Sequence, residues 1–340
     1  MSRDSAAGAT RSGILVLASR STKIAPISTP LMRSVLPLRA NQTDLITHST
    51  RVALPDFEIQ SDLTSAHLIR LRDSLVACGM KVDQWKWANV LDNFALMLAR
   101  LSESQRELVL TLLSDFLYCN VPELFPLLAS ALGHIPAEML RGVDKVILLP
   151  LAETRANGKP KSSSALLYPA VHLLIPCVGA FIGVEATSYE KMSLVNEYEA
   201  QRTGSLIIFL DDFIGSGQTA VKTIVRFRAE CFKPTDRIVI VSAIAQQQGI
   251  DKIATQGIDT YAGITRTKGI SESAIIPDPI AALEIMDGLE TRLGVANAYK
   301  RGFGQCEALV GLIRTPNNTF PLFWWESTAS DESWPAPFTR

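Results

Sequence analysis

The hydrophobic residues change their spacing along the chain near residue 143. Between residues 63 and 140 they recur every three or four positions, as in helices that bury one face. From residue 143 onward, short continuous apolar runs alternate with stretches of helical spacing. Continuous runs are typical of strands buried on both faces of a parallel sheet. The pattern predicts an α/β fold, with a doubly wound, mostly parallel sheet preceded by a helical region.

Four helices are predicted before the sheet. The third starts at a capping box of Ser102 and Gln105 and is expected to reach Leu117. The fourth starts after Val121 and Pro122. We expect these helices to pack as a bundle or to bind a partner. A nucleic-acid-binding helix-turn-helix is the alternative, which the sparse and mixed charges disfavour.

The strands of the sheet are predicted from the apolar runs and the turn residues around them. They are expected at residues 146–149, 180–184, 206–210, 237–245 and 258–264. Helices are expected over about residues 164–174, 219–232, 249–256 and 279–293. The chain is therefore divided into a leader (1–60), the helical region (61–142), a sheet domain (143–327) and a tail (328–340).

The leader is rich in Ser, Thr, Ala and Arg and has no sustained period. This composition resembles an organellar targeting peptide, and a disordered leader or a misplaced start codon are the alternatives.

The composition narrows the class of protein. Hydrophobic residues make up 47% of the chain and the net charge is -1, which favours a globular protein with no general attraction to nucleic acid. No apolar run is long enough to span a membrane, so no membrane partner is expected. The five cysteines have no spacing typical of a disulfide framework or a zinc site. They favour a reducing compartment, and we expect the protein in the cytoplasm.

Two acids and a loop of small residues follow the apolar run at 206–210. Asp211 and Asp212 stand where that strand would leave the sheet, and ligands of open α/β sheets bind beyond the carboxyl ends of strands. The loop and the start of the next helix supply Gly215, Ser216, Gly217, Gln218 and Thr219. Free backbone N–H groups and the helix dipole make such a loop a cradle for phosphate. Carboxylates suit ribose hydroxyls or a hydrated Mg²⁺, so the stretch predicts a sugar-phosphate site.

A cationic loop follows the strand predicted at 146–149. It carries Arg155, Lys159 and Lys161 and leads into a helix. Cations and glycine at the end of a strand are what binding of a pyrophosphate requires. A solvated surface loop is the alternative interpretation.

The C-terminal run at 315–325 combines asparagines with aromatic residues. Asn317 and Asn318 could read the edge of a base, and Phe323, Trp324 or Trp325 could stack on one. In the alternative, the Pro-Asn-Asn sequence makes a turn and the aromatic residues are buried.

The stretch from residue 206 to 219 resembles the phosphoribosyl pyrophosphate (PRPP) loop of the type I phosphoribosyltransferases. The resemblance implies that Asp211 and Asp212 hold the ribose hydroxyls and that residues 215–219 wrap the 5′-phosphate, with Mg²⁺ as cofactor. It also implies a pyrophosphate loop at the cationic segment and a mobile flap over residues 185–204. Two residues depart from the family pattern: Ser216 replaces the usual Thr, and Gln218 replaces a Gly and could crowd the loop. An ordinary strand-turn-helix corner is the alternative.

The run at 315–325 resembles the C-terminal signature of phosphoribosyltransferase-like proteins of bacterial conflict systems, some of which are encoded beside retron reverse transcriptases. That resemblance spans residues 91–325. It implies an antiphage effector that acts on PRPP or a nucleotide, with a complex of reverse transcriptase and non-coding DNA as partner.

Two functions therefore stay open: an enzyme acting at ribose C1, and a sensor that binds PRPP or a nucleotide without turnover. PRPP synthesis is a third, but the sequence has no recognisable ATP-binding motif. The oligomeric state is not predicted.

Overall fold

The computed structural model of the protein describes residues 63–80, 85–152, 162–326, 334–338 and 340. The predicted leader and the cationic loop with Arg155, Lys159 and Lys161 lie outside these ranges. The first part of the described chain forms α1 (Ser65–Ala77), α2 (Trp85–Ala99), α3 (Glu103–Ser114), β1 (Leu117–Tyr118) and α4 (Val121–Gly133). The capping box predicted at Ser102 and Gln105 is confirmed, since each residue's side chain bonds the other's backbone N–H.

The remaining elements alternate between strand and helix, as the apolar runs predict. They are β2 (Lys145–Pro150), α5 (Ser162–Pro169), α6 (Ile175–Cys177), β3 (Glu185–Ser188), α7 (Met192–Tyr198), β4 (Leu206–Ile214), α8 (Gln218–Glu230), β5 (Arg237–Gln246), α9 (Gln247–Ala254), β6 (Asp259–Arg266), α10 (Pro279–Arg292) and β7 (Val310–Gly311). A π-helical turn, Ala170–Leu174, joins α5 to α6. None of the described helices is both long and apolar enough to cross a membrane.

Five strands form one parallel sheet in the order β3-β2-β4-β5-β6. The predicted α/β fold is therefore confirmed. The strand at the centre, β4, has five successive residues with no exposed surface, from Leu206 to Leu210. Such a strand must be covered on both faces, which explains its continuous apolar sequence.

Helices cover both faces of this sheet. The face that carries Leu206, Ile208 and Leu210 packs against α4, α5 and the π-helical turn. The opposite face, with Ile207 and Phe209, packs against α7, α8 and α9. The carboxyl ends of the strands are thereby left as the edge at which loops and ligands can meet.

A third hydrophobic cluster joins the two ends of the described chain. It contains residues of α1, α2 and α3 together with α10 and the C-terminal segment. Phe338 packs within 5.6 Å of the Phe94 ring and 5.4 Å of the Phe116 ring, measured between centroids. A second small parallel sheet, β1 with β7, ties the same two parts of the chain together.

Two details of the sequence interpretation are wrong. Leu117 does not extend the third helix, because α3 ends at Ser114 and Leu117 pairs with Val310 in the small sheet. The edge strand lies at Glu185–Ser188 and not at 180–184, where a short 3-10 turn is found instead.

The stretch predicted as a mobile flap, residues 185–204, forms a regular crossover of the sheet. It contains β3 and α7, and its end is anchored by a buried ion pair between Arg202 and Asp236 at 2.8 Å. Glu199 adds a second anchor, since it accepts hydrogen bonds from Lys145 at 2.9 Å and from Tyr189 at 2.7 Å. These contacts anchor the stretch to the sheet, and a mobile role for it stays a prediction.

Candidate functional site

The two predicted acids lie in the last part of β4. Asp211 pairs in register with Ser242 of β5, and the strand continues for two residues past Asp212 to Ile214. They therefore stand inside the strand, whereas the sequence placed them just after it. Both side chains are partly exposed, unlike the five residues before them. The acids thus lie near the carboxyl end of β4 without being buried in the core.

Asp212 makes hydrogen bonds with Ser162 and with Asp211. Its carboxylate accepts a hydrogen bond from the Ser162 hydroxyl at 2.9 Å, and its backbone N–H donates to the Asp211 carboxylate at 3.1 Å. On the same side of the strand, burial raises the pKa of the Cys119 thiol to about 11, with smaller contributions from the charges of Glu123 and Asp212. Cys119 therefore stays a neutral thiol near pH 7.

The ends of the cationic loop lie next to the acids. Before the loop, the Leu151 N–H donates to the Leu210 carbonyl at 3.0 Å, one residue from Asp211. After it, Ser162 bonds Asp212, and Ser163 donates to the Ala152 carbonyl at 3.2 Å. The described residues on both sides of the segment 153–161 therefore lie beside the acidic pair, and the three cations of that segment lie outside the described residues.

The predicted phosphate loop is shorter than the sequence suggests. It consists of Gly215, Ser216 and Gly217, and α8 already starts at Gln218, so that Thr219 lies in the first helical turn. Gly217 has a φ of 70°, a left-handed conformation that glycine adopts without strain.

The start of α8 has the features of an anion site. Its N-cap residue is Gly217, which has no side chain that could cap the first N–H groups of the helix. Gln218 is partly exposed and Thr219 is exposed. The first turn of α8 thus places its backbone N–H groups at the positive end of the helix dipole, close in sequence to the two acids, while Gly215, Ser216 and Gly217 are buried.

The loop is covered from other parts of the chain, which the sequence did not predict. Ser216 keeps only 7% of its surface exposed. A Cβ atom on Gly217 would lie 2.7 Å from the carbonyl oxygen of Gly249, at the start of α9. A Cβ atom on Gly304 would lie 2.6 Å from that of Ser216. The glycines in the sequence run 302–310 were the one feature that could have indicated this cover. A single sequence does not show which other segment a glycine approaches.

The two predicted base-contacting residues differ in their surroundings. Asn318 is 8% exposed, and its Nδ2 donates to the Phe303 carbonyl at 2.7 Å. Asn317 is partly exposed, and its backbone carbonyl accepts from the Phe303 N–H at 2.7 Å. The side chain of Asn318 is therefore engaged within the protein, and the base contact of either residue stays a prediction.

The aromatic residues of the same run are packed rather than open to a ligand. Phe323 has no exposed surface and Trp324 has 6%. The Trp324 indole N–H donates to the Thr319 carbonyl at 2.8 Å. The Thr319 N–H in turn donates to the Pro316 carbonyl at 3.2 Å. A turn with buried aromatic residues, the alternative that the sequence left open, is present at Phe323 and Trp324, whereas Trp325 is partly exposed and its stacking on a base stays a prediction.

A parallel sheet with an acidic pair and a glycine loop at its carboxyl end is consistent with the class of phosphoribosyltransferase-like proteins. The family model described as PRTase-CE matches residues 90–340, which is most of the chain. The chain therefore belongs to the PRTase-CE family, a phosphoribosyltransferase-like family. A comparison with curated proteins found no match.

Proposed function

We propose that the protein binds PRPP or a nucleotide at the carboxyl end of β4 and makes or breaks the bond at ribose C1. The observation that carries this proposal is the position of the acidic pair. Asp211 and Asp212 lie between the uncapped start of α8 on one side and the two ends of the 153–161 segment on the other. Along PRPP, the 5′-phosphate needs an anion site, the ribose hydroxyls need hydrogen-bond acceptors, and the pyrophosphate leaving group needs cations. The three parts of the proposed site follow the same order.

Each part of the ligand has a proposed partner. The carboxylates of Asp211 and Asp212 accept from the 2′- and 3′-hydroxyls of the ribose. The 5′-phosphate binds the N–H groups of the 215–217 loop and of Gln218 and Thr219. The three cations of the 153–161 segment neutralise the pyrophosphate. Asn317 is the proposed contact to the base, because the Asn318 amide is already bonded to Phe303.

The acidic pair fits a magnesium ion in its donor chemistry. Asp212 offers a partly exposed carboxylate that accepts a hydrogen bond from the neutral Ser162 hydroxyl. Mg²⁺ prefers oxygen ligands and is commonly held by one or two carboxylates together with substrate oxygens and water. When bound, the ion would supply positive charge for the ribose hydroxyls and the pyrophosphate oxygens. Asp211 and Asp212 would be its protein ligands.

The reaction at C1 needs charge stabilisation more than a protein nucleophile. The bond from C1 to the pyrophosphate oxygen breaks with its electron pair, while a base nitrogen or a water oxygen forms the new bond to C1 and loses a proton. In the transition state between the two bonds, the ribose carries positive charge. Carboxylates held at fixed positions beside that charge stabilise it without reorganisation, which is the largest contribution in many enzymes.

A sensor without turnover is the second candidate. The cover over Ser216 favours it, because a loop closed by other segments binds a ligand without offering a wide path for an acceptor. Gln218, which departs from the family pattern, lies at the first position of α8.

Turnover of PRPP tests the enzyme against the sensor. Purified protein is incubated with PRPP, Mg²⁺ and a mixture of bases and nucleotides, and the products are identified by mass spectrometry. We expect pyrophosphate, and we expect its formation to be lost when Asp211→Asn and Asp212→Asn are combined. Asp259→Asn is the matched control, because Asp259 is an exposed carboxylate at the opposite end of the sheet. PRPP binding without any product would instead support the sensor, and neither binding nor product would contradict both.

We also propose an antiphage role, supported by the resemblance of residues 315–325 to conflict-system proteins. A reverse transcriptase bound to non-coding DNA is the proposed partner that holds the protein inactive until infection. Phage plating on cells with the wild-type protein or with the double Asp→Asn variant tests this role. Equal plating on both strains would contradict it.

A further inference from the structure

The Asn318 side chain occupies the space directly above Gly215. A Cβ atom at Gly215 would lie 2.1 Å from Asn318 Cγ, 2.2 Å from its Oδ1 and 2.4 Å from its Nδ2. Real Cβ atoms do not approach neighbours so closely, so a side chain at position 215 and the carboxamide of Asn318 exclude each other. The first residue of the phosphate loop is therefore a glycine because another segment fills its side-chain space.

Asn318 is fixed by the segment at residues 301–307, which we call the 301–307 loop. Its Nδ2 donates to the Phe303 carbonyl at 2.7 Å and to Cys306 Sγ at 3.3 Å. Its backbone carbonyl accepts from the Ala308 N–H at 3.1 Å. A Cβ atom on Gly302 would lie 1.9 Å from that same carbonyl oxygen. The carboxamide therefore cannot turn away from the phosphate loop without breaking these contacts.

The 301–307 loop has an unusual backbone. Five of its seven residues are left-handed: Arg301, Gly302, Gly304, Gln305 and Glu307. For the three that are not glycine this conformation costs free energy and persists only where the surroundings hold it. Such backbone strain is concentrated at functional sites.

Buried carboxylates hold both ends of this loop. At its start, the Arg301 N–H donates to the fully buried Glu290 at 2.7 Å. At its end, the Glu307 carboxylate accepts from the N–H groups of Ile270 at 3.0 Å and Ser271 at 2.7 Å. Between these ends the loop presses Gly304 against Ser216 of the phosphate loop. The loop is thus a rigid support for whatever touches Gly215 and Ser216.

We propose that Asn318 is a positioning residue for the phosphate loop. Its carboxamide sets the place of Gly215, and the 301–307 loop holds that carboxamide. This inference rests on the proposed function, because it assigns the 215–217 loop to the phosphate of PRPP. A loop held in its binding geometry loses less freedom when a ligand arrives, so a correctly placed Asn318 raises affinity without touching the chemistry at C1.

A double-mutant cycle between the two positions tests the proposal. Gly215→Ala, Asn318→Ala and the combined variant are compared for PRPP affinity with Mg²⁺ by calorimetry and for hydrogen exchange of residues 215–221. Two matched controls use exposed positions: Gly288→Ala, where a Cβ atom has open space, and Asn297→Ala. Asn318→Ser repeats the cycle if Asn318→Ala does not fold.

We expect Gly215→Ala to weaken PRPP binding about tenfold, because its Cβ displaces the carboxamide, and Asn318→Ala to weaken it by about threefold to tenfold. The combined variant should bind no more weakly than Asn318→Ala alone, since the clash has been removed. Exchange of the loop should speed up in both single variants, and adding Gly215→Ala to Asn318→Ala should speed it no further.

The positioning role would be overturned if the losses of PRPP affinity in the two single variants add up in the combined variant. It would also be overturned if Asn318→Ala had the PRPP affinity and the hydrogen exchange of the wild type. The proposed function would stand in both cases. If the wild-type protein does not bind PRPP, the proposed function fails. Hydrogen exchange of residues 215–221 then tests the positioning role of Asn318 by itself. Non-additive exchange then supports Asn318 as the residue that fixes the loop, and additive exchange overturns it.

Discussion

Glu290 is a single buried residue whose charge state controls the stability of its surroundings. It has no exposed surface, and its Oε1 has no hydrogen-bond partner among the described residues. Burial raises the pKa of its carboxyl from 4.5 to about 7, with a smaller increase from the charge of Asp287. Opposing contributions come from the Arg301 hydrogen bond and from the charge of Lys300. The protein therefore holds a proton here that the unfolded chain releases at lower pH.

The pH dependence of unfolding follows from this shift. Because the folded pKa lies above the unfolded one, the stabilisation is fully present below pH 4.5 and is lost as the pH rises through about 7. We expect the free energy of unfolding of the wild-type protein to fall by about 1 to 3 kcal/mol between pH 5 and pH 8 from this group. Glu290→Gln, which cannot ionise, should remove that part of the decrease.

Urea unfolding at the two pH values measures the effect. Glu284→Gln is the control, because Glu284 lies on the same helix but is exposed. The same decrease in wild type and Glu290→Gln would contradict the assignment.

The contact between α4 and the sheet depends on one glycine. A Cβ atom on Gly263 of β6 would lie 2.4 Å from the backbone carbonyl oxygen of Leu127 in α4. Backbone atoms cannot move aside as a flexible side chain does. We therefore expect Gly263→Ala to lower the free energy of unfolding by about 1 to 3 kcal/mol, the usual cost of overpacking.

Thermal and urea unfolding check this expectation. Gly133→Ala is a matched control at the end of the same helix, where an added Cβ atom meets nothing within 4 Å. Equal stability of the two variants would show that α4 does not pack as closely on β6 as described.

Most strands of the five-stranded sheet could be predicted from the sequence. The buried run from Leu206 to Leu210 has no polar residue, and a strand covered on both faces is the structure that such a run favours. The small strand at Leu117 was missed, because two residues carry no periodic signal and its partner, Val310, is distant in the sequence. The edge strand was displaced because Glu185–Ser188 contains no continuous apolar run.

The candidate site was predictable only where local sequence determines it. Asp211 and Asp212 directly follow the buried run within β4, so their position near the carboxyl end of the strand comes from local order. The contact between Asn318 and Gly215 joins residues far apart in the chain, and one sequence contains no signal for it. The proposed domain limits and the functional roles of the site residues stay predictions.

Residues 334–338 pack into a hydrophobic cluster with helices from the other end of the described chain. Trp334 and Phe338 are buried in the cluster formed by α1, α2, α3 and α10, and the Trp334 indole donates to the Leu322 carbonyl at 2.7 Å. The Phe338 N–H donates to the Phe323 carbonyl at 3.0 Å. The segment predicted as a tail therefore contributes to the packing of the helices at the other end of the described chain.

Removing one ring tests that dependence. Phe338→Ala should lower the free energy of unfolding by about 3 to 5 kcal/mol, because it leaves a cavity among Phe94, Phe116 and Phe323. Phe232→Ala is the control, since 37% of the Phe232 surface is exposed. Equal losses in the two variants, measured by urea unfolding, would contradict a structural role for the C-terminal residues.

The account as a whole depends on Asp211 and Asp212 holding a ribose. Calorimetric titration of PRPP in the presence of Mg²⁺ into the wild-type protein, Asp211→Asn, Asp212→Asn and the control Asp259→Asn measures this directly. We expect the wild type and the control to bind alike, and each of the other variants to bind roughly 10 to 100 times more weakly, the loss of one charge-assisted hydrogen bond. Unchanged PRPP affinity in Asp211→Asn and Asp212→Asn, or no binding by the wild type, would contradict the account.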